Sequence, residues 1–298
     1  ILEALQKKLG AGNVTFVPGV AYKMQGKYFE DSVVNIDAAV NAAANADYVL
    51  LCIGENSYTE TPGNLNSLEI SDNQLLLANA LQKTGKPVVL ILNEGRPRII
   101  SRIEPGAAAV VDVFLPGNYG ADALADVLTG TVNPSGKLPI TYPRYTNDLA
   151  GYLHKPSEGS GNPQGGESAP QYPFGFGLSY TTFAYSNFAV AKTNFSPEET
   201  ATFTVTVTNT GNRQGKEVVQ LYLSDLISPT LTPDYRRLRA FEKVDLKPGE
   251  SKTVTLRVPI RDLAFVAPDL KKHLEAGEFN AQIGNLQQKF SVTRTLVF

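Results

Sequence analysis

The apolar residues of this chain follow two rhythms that do not belong to one kind of sheet. Before about residue 150, short continuous apolar runs such as Tyr48–Ile53 and Val88–Leu92 alternate with helix-spaced ones. After Phe183 the spacing becomes two, as in Thr202-Phe203-Thr204-Val205-Thr206-Val207-Thr208. Continuous runs suit parallel strands covered on both faces, whereas alternation suits antiparallel strands with one wet face. The length of 298 residues accommodates about two domains.

Within residues 1–150, Leu2, Leu5 and Leu9 are spaced as one helix face that stops at Gly10. Asn13 to Phe16 reads as a short strand, and Ile36, Val40 and Ala43 mark a second helix. The run Tyr48–Ile53, ended by Gly54, predicts a central parallel strand. Ser71 is the expected N-cap of the next helix, with Gln74 as its capping-box partner and Gly85 as its stop. That helix carries Leu76, Leu77, Ala80 and Leu81. Val88–Leu92 and Ala108–Leu115 are further strands, and Ala121–Leu128 a further helix. This alternation predicts an α/β fold, a mostly parallel sheet flanked by helices. Ligands of such sheets sit beyond the carboxyl ends of the strands. Here those ends are the loops beginning at Gly54, at Asn93-Glu94-Gly95-Arg96 and at Pro116-Gly117-Asn118-Tyr119.

Residues 151–183 form a Gly/Pro-rich linker, with Gly159 to Gly166 expected as an exposed connection. Pro173-Phe174-Gly175-Phe176-Gly177 is too aromatic for a free tether, so Tyr172 to Phe183 is expected to anchor the linker to the α/β domain. Residues 184–298 are expected to form an all-β sandwich of immunoglobulin or fibronectin III type, about seven strands separated by turns. Asn209-Thr210-Gly211-Asn212 and Lys247-Pro248-Gly249-Glu250 supply turn chemistry.

Several function classes are disfavoured. Lys and Arg number 27 against 29 Asp and Glu, a net charge of −2, which offers nothing to neutralise a nucleic-acid backbone. Cys52 is the single cysteine, so neither an intrachain disulfide nor a cysteine-based zinc cluster is expected. No apolar run approaches the ~20 residues that cross a bilayer. There is no phosphate-binding Gly-rich motif ending in Lys and Ser or Thr, and Gly175-Phe176-Gly177 follows no strand, so no nucleotide cofactor is expected. His154 and His273 read as surface residues, and no clustered ligand spacing indicates a metal. The sequence opens on Ile1 with no initiator or signal segment, and the expectation is a piece of a longer precursor. Tryptophan is absent, so a sugar would have to stack on Tyr, Phe or a surface supplied from elsewhere.

The richest chemistry lies in Gly54-Glu55-Asn56-Ser57-Tyr58-Thr59-Glu60-Thr61-Pro62-Gly63-Asn64, at the mouth of the sheet. It combines two carboxylates, an aromatic and several hydroxyl and amide groups, the set that reads sugars. A carboxyl shielded from water near an aromatic can act as a general acid. The residues alone favour the plainer reading, a solvated loop with two ordinary glutamates.

The stretch from Ala46 to Pro143 resembles the second domain of glycoside hydrolase family 3, the β-glucosidase and exo-glucanase family. The carriers are Ile53 through Gly63, Leu92-Asn93-Glu94-Gly95-Arg96-Pro97, Leu115-Pro116-Gly117, Asp126-Val127-Leu128-Thr129-Gly130, Asn133 through Pro139, and Tyr172 through Phe183. Leu238, Phe241-Glu242-Lys243-Val244 and Leu246-Lys247-Pro248-Gly249-Glu250 resemble that family's fibronectin type III-like domain. The resemblance implies a retaining β-glycosidase acting on terminal β-linked sugars of an oligosaccharide or β-glucoside. It implies an aspartate nucleophile on an N-terminal TIM barrel of the same precursor, and an acid/base glutamate from a loop of the second domain. Glu60 takes the acid/base position in the Glu-x-x-x-x-Glu loop, with Glu55 as the rival that props the loop. Arg96 is expected to pair with an acidic loop residue or to line an outer sugar subsite. Tyr58 is expected to stack on the leaving-group sugar or to pack the loop down. The barrel is absent from this sequence, so the chain alone is expected to be inactive. The resemblance also favours a secreted or periplasmic location. The alternative is a non-catalytic module for carbohydrate binding or scaffolding.

Overall fold

A computed structural model describes residues 1–58, 60–148, 151–155 and 169–298. The predicted connection from Gly159 to Gly166 lies outside the described residues. The chain divides into two compact units, Ile1–Val132 with Tyr142–Asp148, and Asn133–Thr141 with Leu149–Phe298.

The first unit opens with helix α1 (Leu2–Leu9), which ends at Gly10 in a left-handed conformation. No strand follows over Asn13 to Phe16, where a 3-10 turn at Ala11–Asn13 runs into irregular chain. Strands β1 (Val20–Tyr22) and β2 (Asp31–Val33) then form an antiparallel arm. Helix α2 (Ile36–Ala44) starts at Asn35, whose side chain accepts the Ala38 N–H. Strand β3 (Val49–Gly54), helix α3 (Asp72–Gln82), strand β4 (Val88–Asn93), strand β5 (Ala109–Asp112) and helix α4 (Gly120–Leu128) complete the α/β pattern.

The three strands pair in parallel in the order β3-β4-β5. The middle strand is therefore β4, whose Leu90, Ile91 and Leu92 are all buried. Each such side chain contributes about 2 kcal/mol by leaving water. The run predicted to be central, Tyr48–Ile53, instead lies at an edge among the described strands. Its Leu51 and Ile53 are buried, while Tyr48, Leu50 and Cys52 are exposed. An apolar run records that a strand can be covered on both faces, not which place in the sheet it takes.

In the second unit, β6 (Phe183–Val190), β7 (Asn194–Phe195), β8 (Thr200–Asn209), β9 (Gly215–Asp225), β10 (Arg237–Leu246) and β11 (Ser251–Pro259) precede five further strands. These are β12 (Phe265–Val266), β13 (Lys272–Leu274), β14 (Gly277–Ile283), β15 (Leu286–Val292) and β16 (Leu296–Val297). One sheet runs β10-β9-β14-β15-β7, another β11-β8-β6, and a small one β12-β13-β16. Inward residues of the two larger sheets make one core, including Phe203, Val205, Leu221, Val254, Phe279 and Phe290. Phe195 meets Phe290 edge-on and Phe279 stacks on it, with centroids 5.8 and 5.5 Å apart. Asn209 is buried at the turn foreseen after β8. Its Nδ2 donates to the Arg213 and Leu246 carbonyls, and its Oδ1 accepts from Thr181 and Gly211.

The aromatic Tyr172–Phe183 segment is tied to this second unit. Gly175 N–H donates to Leu138 O, Leu138 N–H donates to Phe176 O, and Gln220 donates to Gly175 O. The strip it docks on, Asn133–Thr141, lies within the 1–150 region read as the α/β domain but groups with the second unit, which local spacing does not announce.

The last residue of β3 fixes the geometry of the site. Gly54 stands opposite Asn93 in the parallel register at φ 136°, and a Cβ there would lie 2.2 Å from the Asn93 carbonyl oxygen. Only glycine tolerates both the angle and the approach. Gly54→Ala is expected to destabilise the first unit by about 2 kcal/mol or more, read as a lower urea midpoint.

Candidate active site

Past Gly54 the backbone turns out of the sheet, and Glu55 N–H donates to Asn93 O at 2.8 Å. The Glu55 side chain is 4% exposed. Its Oε2 accepts from the N–H groups of Gly95 (3.0 Å) and Arg96 (3.2 Å). Its Oε1 accepts from Arg96 Nε at 3.1 Å, Arg96 Nη2 at 2.7 Å and Arg98 Nη1 at 3.3 Å. One buried carboxylate thus binds the β3 exit to the β4 exit.

The two arginines extend the clamp to the loop. Arg96 Nη1 donates to the Gly63 carbonyl, and Arg98 Nη2 donates to the Glu69 carbonyl. The Arg96 guanidinium also lies 3.9 Å from the Tyr58 ring centroid, a cation–π contact. Tyr58 is wedged between two glycines. A Cβ on Gly63 would lie 2.4 Å from its ring and one on Gly95 2.3 Å from its hydroxyl. Of the two readings of Tyr58, the packing one describes this geometry. Of the two readings of Arg96, pairing with an acidic loop residue does.

Glu60 stands apart from this network. It precedes the 3-10 turn Thr61–Gly63, and its carbonyl accepts the Gly63 N–H at 2.9 Å. Its side chain is exposed and makes no hydrogen bond or ion pair among the described residues. Its backbone sits at φ 41°, a region that costs a non-glycine residue of order 1–3 kcal/mol. The Gly63 carbonyl at the other end of that turn accepts from Arg96.

A second set of contacts, absent from the sequence reading, braces the loop from below. Gln74 is buried on α3, accepts the Gly54 N–H at 2.8 Å and donates to Gly54 O at 3.2 Å. Ser71 does cap α3 by accepting the Gln74 N–H, but the Gln74 side chain clasps Gly54 instead of closing a capping box. Tyr22 of β1 donates to Gly54 O. Asp31 of β2 accepts from Ser71 and Asn73. Tyr28, on the arm between β1 and β2, packs 5.5 Å from Tyr58. Strands of three residues leave too short a pattern to recognise, so only the turn-rich Gln25-Gly26-Lys27 stretch hinted at the arm.

The cleft beside Tyr22, Tyr28, Gly54, Glu55 and Gln74 is only about 20 Å³. That is room for a water rather than a pyranose. A cavity of about 340 Å³ belongs to the second unit, where Lys155 and Arg237 both pair with Asp234. His154 and His273 belong to the second unit, where His273 pairs with Asp269 and His154 packs against Tyr235. Among the described residues no three His, Cys, Asp or Glu converge as metal ligands.

The family description "Glycosyl hydrolase family 3 C-terminal domain" matches residues 1–180, and "Fibronectin type III-like domain" matches 217–287. A parallel α/β unit followed by a fibronectin III-like sandwich, with this loop at the strand ends, is the class those descriptions define. The chain belongs to glycosyl hydrolase family 3, as its C-terminal portion. It is 44% identical over 267 residues to a lysosomal beta glucosidase of Dictyostelium discoideum, covering 85% of this chain and 31% of that protein. It is 38% identical to a periplasmic beta-glucosidase of Salmonella typhimurium, covering 84% and 34%. A solved β-glucosidase from Erythrobacter marinus superposes with a TM-score of 0.86 at 31% identity, covering 98% of this chain and 43% of that one. The chain spans about a third of the length of these curated relatives.

The two glutamates should separate cleanly in stability. Glu55→Ala removes a buried carboxylate and leaves the half-buried Arg96 and Arg98 guanidinium groups without their anion, and is expected to cost about 3 kcal/mol. Glu60→Ala removes an exposed, unengaged carboxylate and should stay within about 0.5 kcal/mol of the parent. Urea unfolding of the two variants checks both.

Proposed function

We propose that this chain supplies the acid/base side of a retaining β-glycosidase site, and that Glu60 is the proton shuttle. The supporting observation is the contrast within one loop. Glu55 is consumed by five N–H contacts and has no capacity left for a substrate, while Glu60 is exposed on a turn that Arg96 holds. Retaining hydrolysis needs a nucleophile and an acid/base about 5–5.5 Å apart across the scissile bond. The nucleophile is assigned to a barrel of the same precursor, as the family membership implies. Glu60 would protonate the leaving oxygen in the first step and deprotonate the attacking water in the second. The substrate class is terminal β-linked glycosides, for which the two β-glucosidase relatives are the support. The location is a compartment outside the cytosol, for which the periplasmic relative is the supporting observation.

In a full-length protein carrying the barrel, Glu60→Ala is expected to lower kcat/KM roughly 10²- to 10⁴-fold on glycosides with poor leaving groups. The loss should be smaller with an activated aryl leaving group, which departs without a proton, and added azide should restore turnover by replacing the water nucleophile. Equal activity of parent and Glu60→Ala on the poor leaving group would remove the assignment. This chain by itself is expected to show no turnover of an aryl β-glucoside, and robust turnover would show that the site is complete without the barrel.

A further inference from the structure

Beneath the clamp lies a second carboxyl that the proposed chemistry does not use. Glu94 follows β4 directly and is fully buried. Its Oε1 lies 2.8 Å from the Tyr142 hydroxyl and 3.3 Å from the Arg98 N–H. Among the described residues its Oε2 is buried without a hydrogen-bond partner, as is Oδ2 of Asp112 at the end of β5. The Tyr142 hydroxyl also lies 2.7 Å from the Arg98 carbonyl oxygen.

Counting hydrogens decides the state of this group. The Tyr142 hydroxyl has one hydrogen but two oxygens at hydrogen-bond distance. The Arg98 carbonyl can only accept. If Glu94 were ionised it too could only accept, and one of the two short O···O contacts would contain no hydrogen. With a proton on Glu94 Oε1, the carboxyl donates to Tyr142 and Tyr142 donates to Arg98 O, so both contacts are satisfied. We propose that Glu94 is held as a neutral carboxylic acid, and that through Tyr142 it positions the 94–98 turn whose arginines grip Glu55 and Gly63. The extension from that turn to the reactivity of Glu60 rests on the functional reading above.

The surroundings favour the neutral form from several sides. The carboxyl is pushed up to about 8, chiefly by burial and also by the charges of Asp112 and Glu55, which outweigh the Tyr142 hydroxyl and the Arg98 N–H that would favour an ionised form. Asp112, across from it on β5, is itself raised to about 6 by burial. Arg98 does not neutralise Glu94, because its guanidinium is turned to Glu55 and to the Glu69 carbonyl. An ionised Glu94 would be a third anion competing for the arginines that Glu55 needs.

The sign of the pH dependence follows. The native state keeps the Glu94 proton up to about pH 8, and the unfolded chain releases it near 4.5. Stability from this group is therefore complete below about pH 4.5 and falls as pH rises toward 8. The unfolding constant of this chain should rise by up to tenfold per pH unit across that window, roughly 10³ in total, relative to Glu94→Gln. The glutamine amide keeps a donor for Tyr142 and cannot ionise, so the two proteins should unfold alike near pH 4 and diverge toward pH 9. Asp112 titrates in both. A difference that is flat with pH, or a glutamine variant less stable by the same factor throughout, would overturn the proposal. Infrared spectroscopy reads the proton directly. At pH 7 the parent should show a protonated-carboxyl band that Glu94→Gln lacks and that shifts in Tyr142→Phe. If the glutamine variant does not fold, the Tyr142→Phe shift still decides, and its absence counts against the assignment. These readouts need no catalysis. In the full-length protein, loss of turnover in Glu60→Ala with a flat Glu94→Gln stability difference would sink only the Glu94 proposal, and the reverse result only the Glu60 reading.

Discussion

The site depends on one desolvated carboxylate. Glu55 gathers two backbone N–H groups and two arginine side chains within 3.3 Å, and each donor comes from the turn after β4. Charge-assisted contacts of this kind are the strong ones, and the planar guanidinium of Arg96 meets the carboxylate with two nitrogens at once. A lysine would offer a point charge without that orientation. The arrangement needs the glycine that precedes it, since Gly54 lets β3 approach Asn93 closely enough for the next side chain to reach the neighbouring turn.

Such buried ion pairs contribute more to a specific geometry than to net stability, because desolvation offsets much of the attraction. The geometry specified here is that of the 55–64 loop. Arg96 ties Glu55, Tyr58 and Gly63 into one unit, and Gly63 closes the turn that starts at Glu60. The loop divides labour between its two acids: the one next to the strand is spent on architecture, and the one at the turn keeps its carboxylate in solvent. Glu94 adds a third role, an acid that supports the arginine turn best while it carries no charge.

Much of the architecture was legible before any coordinates. Helix-spaced leucines before Gly10, the helix marked by Ile36, Val40 and Ala43, the serine-capped helix, and the unbroken run Val88–Leu92 all fold as read, because each signal is local. The alternation of Thr202–Thr208 became β8 for the same reason. Elements whose identity depends on distant partners were not legible. The three-residue strands β1 and β2 exist through each other and through the bonds that Asp31 accepts from Ser71 and Asn73 at the start of α3, and Asn13 to Phe16 has the composition of a strand but pairs with none among the described residues.

The sequence by itself determined the two-part plan, the polar loop at the mouth of the sheet, and the pair of glutamates within it, since periodicity and motif order survive without a fold. Only the tertiary structure decided which glutamate is spent and which is free. That choice depends on the parallel register of β3 and β4, which sets Arg96 against Glu55 across 41 positions of sequence. It also decided that Gln74 serves Gly54 rather than its own helix, and that Glu94 faces a tyrosine instead of an arginine. Burial, and with it the charge a carboxyl can bear, is a property of the assembled neighbourhood and is written at no single position of the chain.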